Sequence, residues 1–413
     1  MEAGKRLSTA TTIFLSNNEL TGSVPSSICS KKPVLYSGLA DLDVSNNKLS
    51  GMIPTTIRYC TSLEYLNFGF NYLTGNVPKG LEQAKGLQIL KLNDNNLDGD
   101  PLYIISELPD LQVLILGNNN FGGGLSDMVG SLNIMILSLS SNHFNGSIPK
   151  EIFDLDQLRI LDLSGNKFTG LISRKISNLT LLKSPYNSSY RISGDYDFDV
   201  GLQMASKWII IQYEKLYRYY SGIDLSSNEL EGEIPEEIGL LKGLSMLNLS
   251  HNRLSGEIPS SVGLMNGLES LDLSYNKLSG VIPPSLASMD FLGYLNLSHN
   301  NLSGRIPRGL HMDTLSGDGS AYANNSFLCG YFTKNACEGD QSSDTGNNDY
   351  ENEDGLDHTR DKWYFFGVVA LGFIIGFWGL FFGLLLKKEI WWFGYWRSVD
   401  KVAAKIVHFF LKD

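Results

Sequence analysis

The stretch "LDLSYNKLSGVIP", residues 271–283, decides the fold. Alternate residues of a strand point to opposite faces, so Leu271 and Leu273 turn toward a core while Asp272 and Ser274 turn away. The same pattern returns as "LNLSHNRLSGEIP", "LNLSHNNLSGRIP", "IDLSSNELEGEIP", "LSLSSNHFNGSIP" and "LDVSNNKLSGMIP". Its asparagine falls at Asn18, Asn47, Asn71, Asn95, Asn119, Asn142, Asn166, Asn228, Asn252, Asn276 and Asn300, mostly 24 residues apart. A fixed period of that length is the signature of a solenoid, whose coils are stabilised by stacking because none buries its core face alone.

Each coil is expected to contribute one short strand to a parallel sheet. The asparagine sits where the chain leaves the strand, so its buried amide is expected to satisfy backbone groups of its own turn and of the neighbouring coil. Gly280 and its equivalents permit a tight bend, and the following Ile-Pro is expected to open a second extended piece before Val262, Met265 and their equivalents pack on the convex side.

One interval breaks the period. From Asn166 to Asn228 the step is 62 residues, which leaves an insertion over residues 183–220. It holds seven of the nineteen tyrosines and the run "DYDFD". The net charge of −11 is also local, since nine carboxylates face one arginine between Glu338 and Asp361. That segment, rich in Asp, Asn, Ser and Gly, lacks the apolar surface needed to offset its ordering entropy. It reads as a stalk over residues 338–362.

Residues 363–386 carry no charge and are long enough to span a bilayer as a helix. Lys387 and Lys388 follow, so the positive-inside rule puts the tail, residues 387–413, in the cytosol and the repeats outside. The tail mixes aromatic and basic residues as a membrane anchor does. Within the span Gly372, Gly376, Gly379 and Gly383 share one helix face, which lets a second helix approach closely.

The repeat L-x-x-L-x-L-x-x-N-x-L-x-G-x-I-P, from about Thr11 to Pro307, resembles the plant type of leucine-rich repeat. The resemblance implies an α/β solenoid, a horseshoe with a parallel concave β-sheet, to which the sequence adds one transmembrane α-helix. The insertion, the segment "NNSFLCG", the acidic stalk and the single span together resemble plant receptor-like proteins that lack a kinase. Residues 1–182 then hold seven repeats, 183–220 an island domain, 221–310 four further repeats and 311–337 a C-terminal cap. Lys207 aligns with a lysine that the family follows with glycine, whereas Trp208 follows it here.

The family implies a type I plasma-membrane receptor with three partners: an extracellular peptide, protein or glycan; an adaptor receptor-like kinase bound through the transmembrane helix; and a co-receptor kinase recruited by ligand. A decoy or enzyme-inhibiting repeat protein is the alternative. No kinase signature follows the span, the glycines at Phe121 lack a following lysine, the six histidines are scattered, and His251 and His299, at equivalent repeat positions two coils apart, are not expected to hold a metal. No catalytic group, cofactor, metal or nucleic-acid partner is expected. The start, "MEAGKRLSTATTIFLSNN", lacks a signal-peptide core and reads as a shortened gene model or fragment of a longer receptor, with a natural short form as the alternative.

Contact with a ligand is expected on the concave face at Tyr65, Phe70, Ile89, Lys91, Val113 and Ile115, where aromatic and aliphatic residues would stand exposed on a polar sheet. The island offers Tyr196, Phe198, Lys207 and Tyr213 as a competing site. Sequons occur at Asn145, Asn178, Asn187, Asn248, Asn296, Asn301 and Asn324, of which Asn248 and Asn296 would put glycans on the concave sheet. A disulfide between Cys329 and Cys337 is expected to close the open end of the solenoid. Cys60 reads as a buried free thiol, and Cys29 has no assigned partner.

Overall fold

The computed structural model describes residues 10–29, 38–125, 130, 132–184, 202–206, 209–213, 221–309, 312–315, 317–333, 335–337, 372 and 378. The chain divides into two units, residues 1–340 and 341–413. The first is the solenoid.

Eleven three-residue strands, from Thr12–Phe14 to Tyr294–Asn296, form one parallel sheet in chain order. Neighbouring coils pair residue for residue: Ser270 opposite Tyr294, Leu271 opposite Leu295, Asp272 opposite Asn296. Register survives the insertion, since Ile160, Leu161 and Asp162 pair with Gly222, Ile223 and Asp224. The inward leucines join one continuous core running the length of the stack, into which Phe68, Phe121, Phe144 and Phe168 fit fully buried.

A second parallel sheet of twelve strands lies beside the first. Its strands, such as Lys277–Val281, precede the Ile-Pro pair rather than following it, which corrects the sequence expectation. The glycine is the reason: Gly280, at φ +76°, lies inside the strand, paired with Leu302, and is not its end. After the proline the chain enters a 3-10 turn, as at Ser260–Leu264, whose Val262 faces the core and is followed by the buried Met265.

The asparagines lock coil to coil. Asn276 Nδ2 donates to Leu249 O of the preceding coil at 3.0 Å and to Leu273 O and Ser274 O of its own at 3.1 Å. Its Oδ1 accepts from Leu254 N of the preceding coil at 3.0 Å. Asn47, Asn71, Asn95, Asn119, Asn142, Asn166, Asn228, Asn252 and Asn300 repeat the scheme. Asn18, in the first coil, donates to Leu15 O and Ser16 O of that coil.

Asn325 is a further rung that the period did not announce. Its Nδ2 donates to Leu297 O and Tyr322 O, both at 3.0 Å, while its Oδ1 accepts from Leu302 N. The cap therefore begins as one more coil, and its strand Phe327–Cys329 extends the second sheet. Cys329 is bonded to Cys337. Cys60 is bonded to Cys29, with Cα atoms 5.4 Å apart, so the free-thiol reading is corrected. Equivalent convex positions on consecutive coils bring the two sulfurs together, although 31 residues separate them in sequence.

Of the island, two antiparallel strands are described, Leu202–Ser206 and Ile209–Tyr213, with Leu202 opposite Tyr213. Tyr196, Phe198 and Lys207 lie outside the described residues, as do the acidic stalk and the tail. In the second unit Gly372 and Trp378 are described, both helical. The rest of the span 363–386, with Gly376, Gly379 and Gly383, lies outside the described residues. Among those described no helix is long and apolar enough to cross a membrane.

Candidate recognition surface

Parallel register sorts the outward residues of the first sheet into two rows. Tyr65, Ile89 and Val113 stand in one row, followed by Ile136 and Ile160. Asn67, Lys91 and Ile115 stand in the other, followed by Ser138, Asp162 and Asp224.

The expected exposure of these residues is not found. Tyr65, Ile89, Lys91, Val113 and Ile115 are all buried, Val113 completely. Each side chain has same-register neighbours one strand spacing of about 4.8 Å away on either side, and residues of this size cover one another at that distance. Tyr65 also has a structural duty, since its hydroxyl donates to Asp43 Oδ2 at 3.0 Å and its ring meets that of Phe14 edge-on. Phe70 differs because it precedes a ladder asparagine in the left-handed region, at φ +55°, and is 37% exposed.

Asp43, Asp162, Asp224 and Asp272 share a local design. In each, one carboxylate oxygen accepts from the backbone N–H two residues on, at Ser45, Ser164, Ser226 and Ser274. The other oxygen faces an adjacent strand. Ser138 Oγ donates to Asp162 Oδ2 at 2.9 Å, and Asn248 Nδ2 to Asp224 Oδ2 at 3.1 Å. Burial pushes the Asp162 carboxyl above the usual carboxylate range. Asp224 is pushed up to about 7 by its own burial and, second, by the charge of Asp162 on the adjacent strand. Burial and Asp272 likewise raise Tyr294, whose hydroxyl stays a neutral donor to that carboxylate at 3.2 Å.

The sequons divide by environment. Asn145, Asn178, Asn301 and Asn324 are exposed, whereas Asn296 is buried and Asn248 half-buried. Asn248 donates to Asp224 and Asn296 to Asp272, while Ser250 and Ser298, the hydroxyl residues of those sequons, donate back to the asparagine Oδ1. Asn187 lies outside the described residues.

Sequence reading missed a ring column on the last coils. His251 and Tyr275 stack at 4.2 Å between centroids, Tyr275 and His299 at 3.9 Å, and Asn324 Nδ2 approaches His299 Nε2 at 2.9 Å. All four occupy the left-handed position. The signal was the repeat itself: His251 and His299 occur two coils apart because an equivalent residue, Tyr275, stands between them.

These features define a leucine-rich-repeat solenoid with a long lateral face and one interrupting insertion. Residues 37–97 and 258–302 match a family model described as Leucine rich repeat. Residues 10–30, 133–155, 157–179 and 243–265 match a second described in the same words. Receptor like protein 22 of Arabidopsis thaliana is 41% identical over 64 residues, which are 14% of this chain and 8% of that protein.

Among solved structures, the Arabidopsis receptor kinase HAESA in complex with the peptide hormone IDA and the co-receptor SERK1 is similar with a TM-score of 0.61 and 28% identity. That match covers 79% of this chain and 51% of HAESA. A plant ice-binding protein is similar with a TM-score of 0.57 and 26% identity over 76% of this chain and 87% of its own. The chain thus spans about half of the receptor structure and a small part of the curated relative.

Proposed function

We propose that the protein is a cell-surface receptor-like protein that recognises an extracellular peptide, protein or glycan through its repeats and island. In this reading it has no kinase of its own, so its output passes through an adaptor receptor-like kinase and a ligand-recruited co-receptor kinase. The observation that carries this is the similarity over 79% of the chain to a receptor solved with a peptide hormone and a co-receptor. The ice-binding neighbour is a reminder that a solenoid alone does not set function. What favours reception is the relative named a receptor-like protein, together with an insertion placed so that register continues past it.

Ligand contact in this reading belongs to the exposed parts of the surface. Phe70 remains a candidate, with Tyr196, Phe198, Lys207 and Tyr213 of the island. Tyr65, Ile89, Lys91, Val113 and Ile115 would act by shaping the sheet beneath a ligand. The adaptor kinase would meet the face of Gly372, Gly376, Gly379 and Gly383, since in lipid small residues let helices pack closely.

Tagged full chain, expressed in leaf cells with the Gly376→Leu and Gly379→Leu pair beside it, tests the proposal. The parent is expected to co-purify a receptor-like kinase, and the double variant to reach the cell surface without it. Equal recovery of the kinase by both would contradict the helix contact, and recovery by neither would favour a decoy.

A further inference from the structure

The C-terminal ends of four neighbouring strands of the second sheet border a groove of 1130 Å³ that recognition on the concave face does not use. Its floor is apolar, built from the buried Ile172, Ile234, Pro235, Ile258, Pro259 and Pro283 at the starts of successive 3-10 turns. Its rim is one residue per coil, the position after the positive-φ glycine of the strand: Leu171, Glu233, Glu257 and Val281.

The rim side chains lie down because glycine lets them. Glu233 Cγ rests 2.8 Å from where a Cβ on Gly256 would stand, and Glu257 Cγ is placed identically over Gly280. Leu171 covers Gly232 in the same way. The result is an ordered row, not four independent surface residues.

Its chemistry is uneven in an informative way. Leu171 is 64% exposed and Val281 54%, although solvent favours polar side chains at such positions and the two coils between them carry glutamates there. Four glutamates, Glu233, Glu236, Glu237 and Glu257, line the groove against one cation, Arg174, which lies 3.9 Å from Glu237. The centre is therefore negative and both ends aliphatic.

Geometry sets the length of what fits. Neighbouring strands here pair with a two-residue stagger, Leu171 opposite Glu231 and Glu233 opposite Ser255. Combining that stagger with a strand spacing of about 4.8 Å puts consecutive rim residues roughly 8 Å apart. Leu171 to Val281 is then roughly 24 Å, the reach of about eight extended residues.

We propose that this groove docks an extended basic segment of a partner protein, about eight residues long, with an aliphatic side chain near each end and two lysines or arginines between. The cations pair with Glu233 and Glu257, while the ends cover Leu171 and Val281. The proposal is independent of where the extracellular ligand binds.

Fluorescence anisotropy on the full chain tests it. The probe is a labelled eight-residue peptide with leucine at the first and seventh positions, arginine at the third and fifth and serine elsewhere, which puts all four side chains on one face of the extended chain. The parent is expected to bind saturably, and Glu233→Lys with Glu257→Lys to weaken binding at least tenfold. The same double variant should bind the peptide bearing glutamates in place of the arginines better than the parent does, which shows it to be folded. Leu171→Ser with Val281→Ser should weaken the original peptide at least threefold. No binding to the parent, equal binding by the double lysine variant, or equal binding of a scrambled peptide would overturn the proposal.

Discussion

Asp162 and Asp224 are register partners on adjacent parallel strands, although residues 183–220 come between them in the chain. Both carboxyls are buried and both are raised, Asp224 to about 7. The insertion thus leaves the coils on either side in direct electrical contact.

A pH dependence follows. Because the folded Asp224 holds its proton more tightly than the unfolded residue, its stabilising effect is complete below the ordinary carboxylate range and is lost as pH rises through about 7. Melting temperature should fall between about pH 4 and pH 7. Asp224→Asn, which keeps the uncharged form, should flatten that fall and raise the melting temperature at pH 8 by about 2 °C or more. A parallel pH profile for parent and variant would show that the pair does not couple to folding.

The ladder predicts a contrast between two identical residue types. Asn276→Leu removes bonds to two coils and leaves Leu254 N and Leu249 O without the amide, at a cost of about 2–5 kcal/mol. Asn18→Leu removes bonds within one exposed coil and should cost under about 1 kcal/mol. Chemical denaturation of both variants measures the difference, and equal costs would count against inter-coil locking.

Much of this was legible in the sequence because the constraint is periodic. Eleven asparagines at a fixed spacing announce both the coils and their cross-links, and the same spacing shows where the insertion interrupts them. Asn325 escaped because its coil lacks the leucine pattern, with Tyr322 and Ala323 where sister coils carry leucine and serine. Cys29 escaped because its partner lies a full coil away and residues 30–37 lengthen that coil. The concave residues were misjudged for another reason: alternation gives the direction of a side chain, while its exposure depends on the neighbours that register sets beside it. The groove depends on a stagger between strands that no single repeat encodes.

Glycan occupancy should follow hydrogen bonding as well as motif. Routed through the secretory pathway, the chain should carry glycans at Asn145 and Asn301, which are exposed. Asn296, buried and bonded to Asp272 and Ser298, should stay bare, and Asn248 with it. Glycosidase release with heavy-oxygen labelling of each site reads this directly. A glycan on Asn296 would mean that the concave row opens before folding is complete.

The central claim is recognition by a solenoid whose insertion contributes to the ligand site, and deletion of Pro185 to Tyr220 tests it most directly. Joining Ser184 to Ser221 leaves nearly one repeat period between Asn166 and Asn228, so the sheets can continue in register. Parent and deletion are each tethered to a resin, exposed to the same extracellular extract and compared for bound peptides, proteins and glycans, with circular dichroism as the check of folding. The account predicts a folded deletion that no longer retains the material captured by the parent. A folded deletion that captures the same material to the same extent would contradict it.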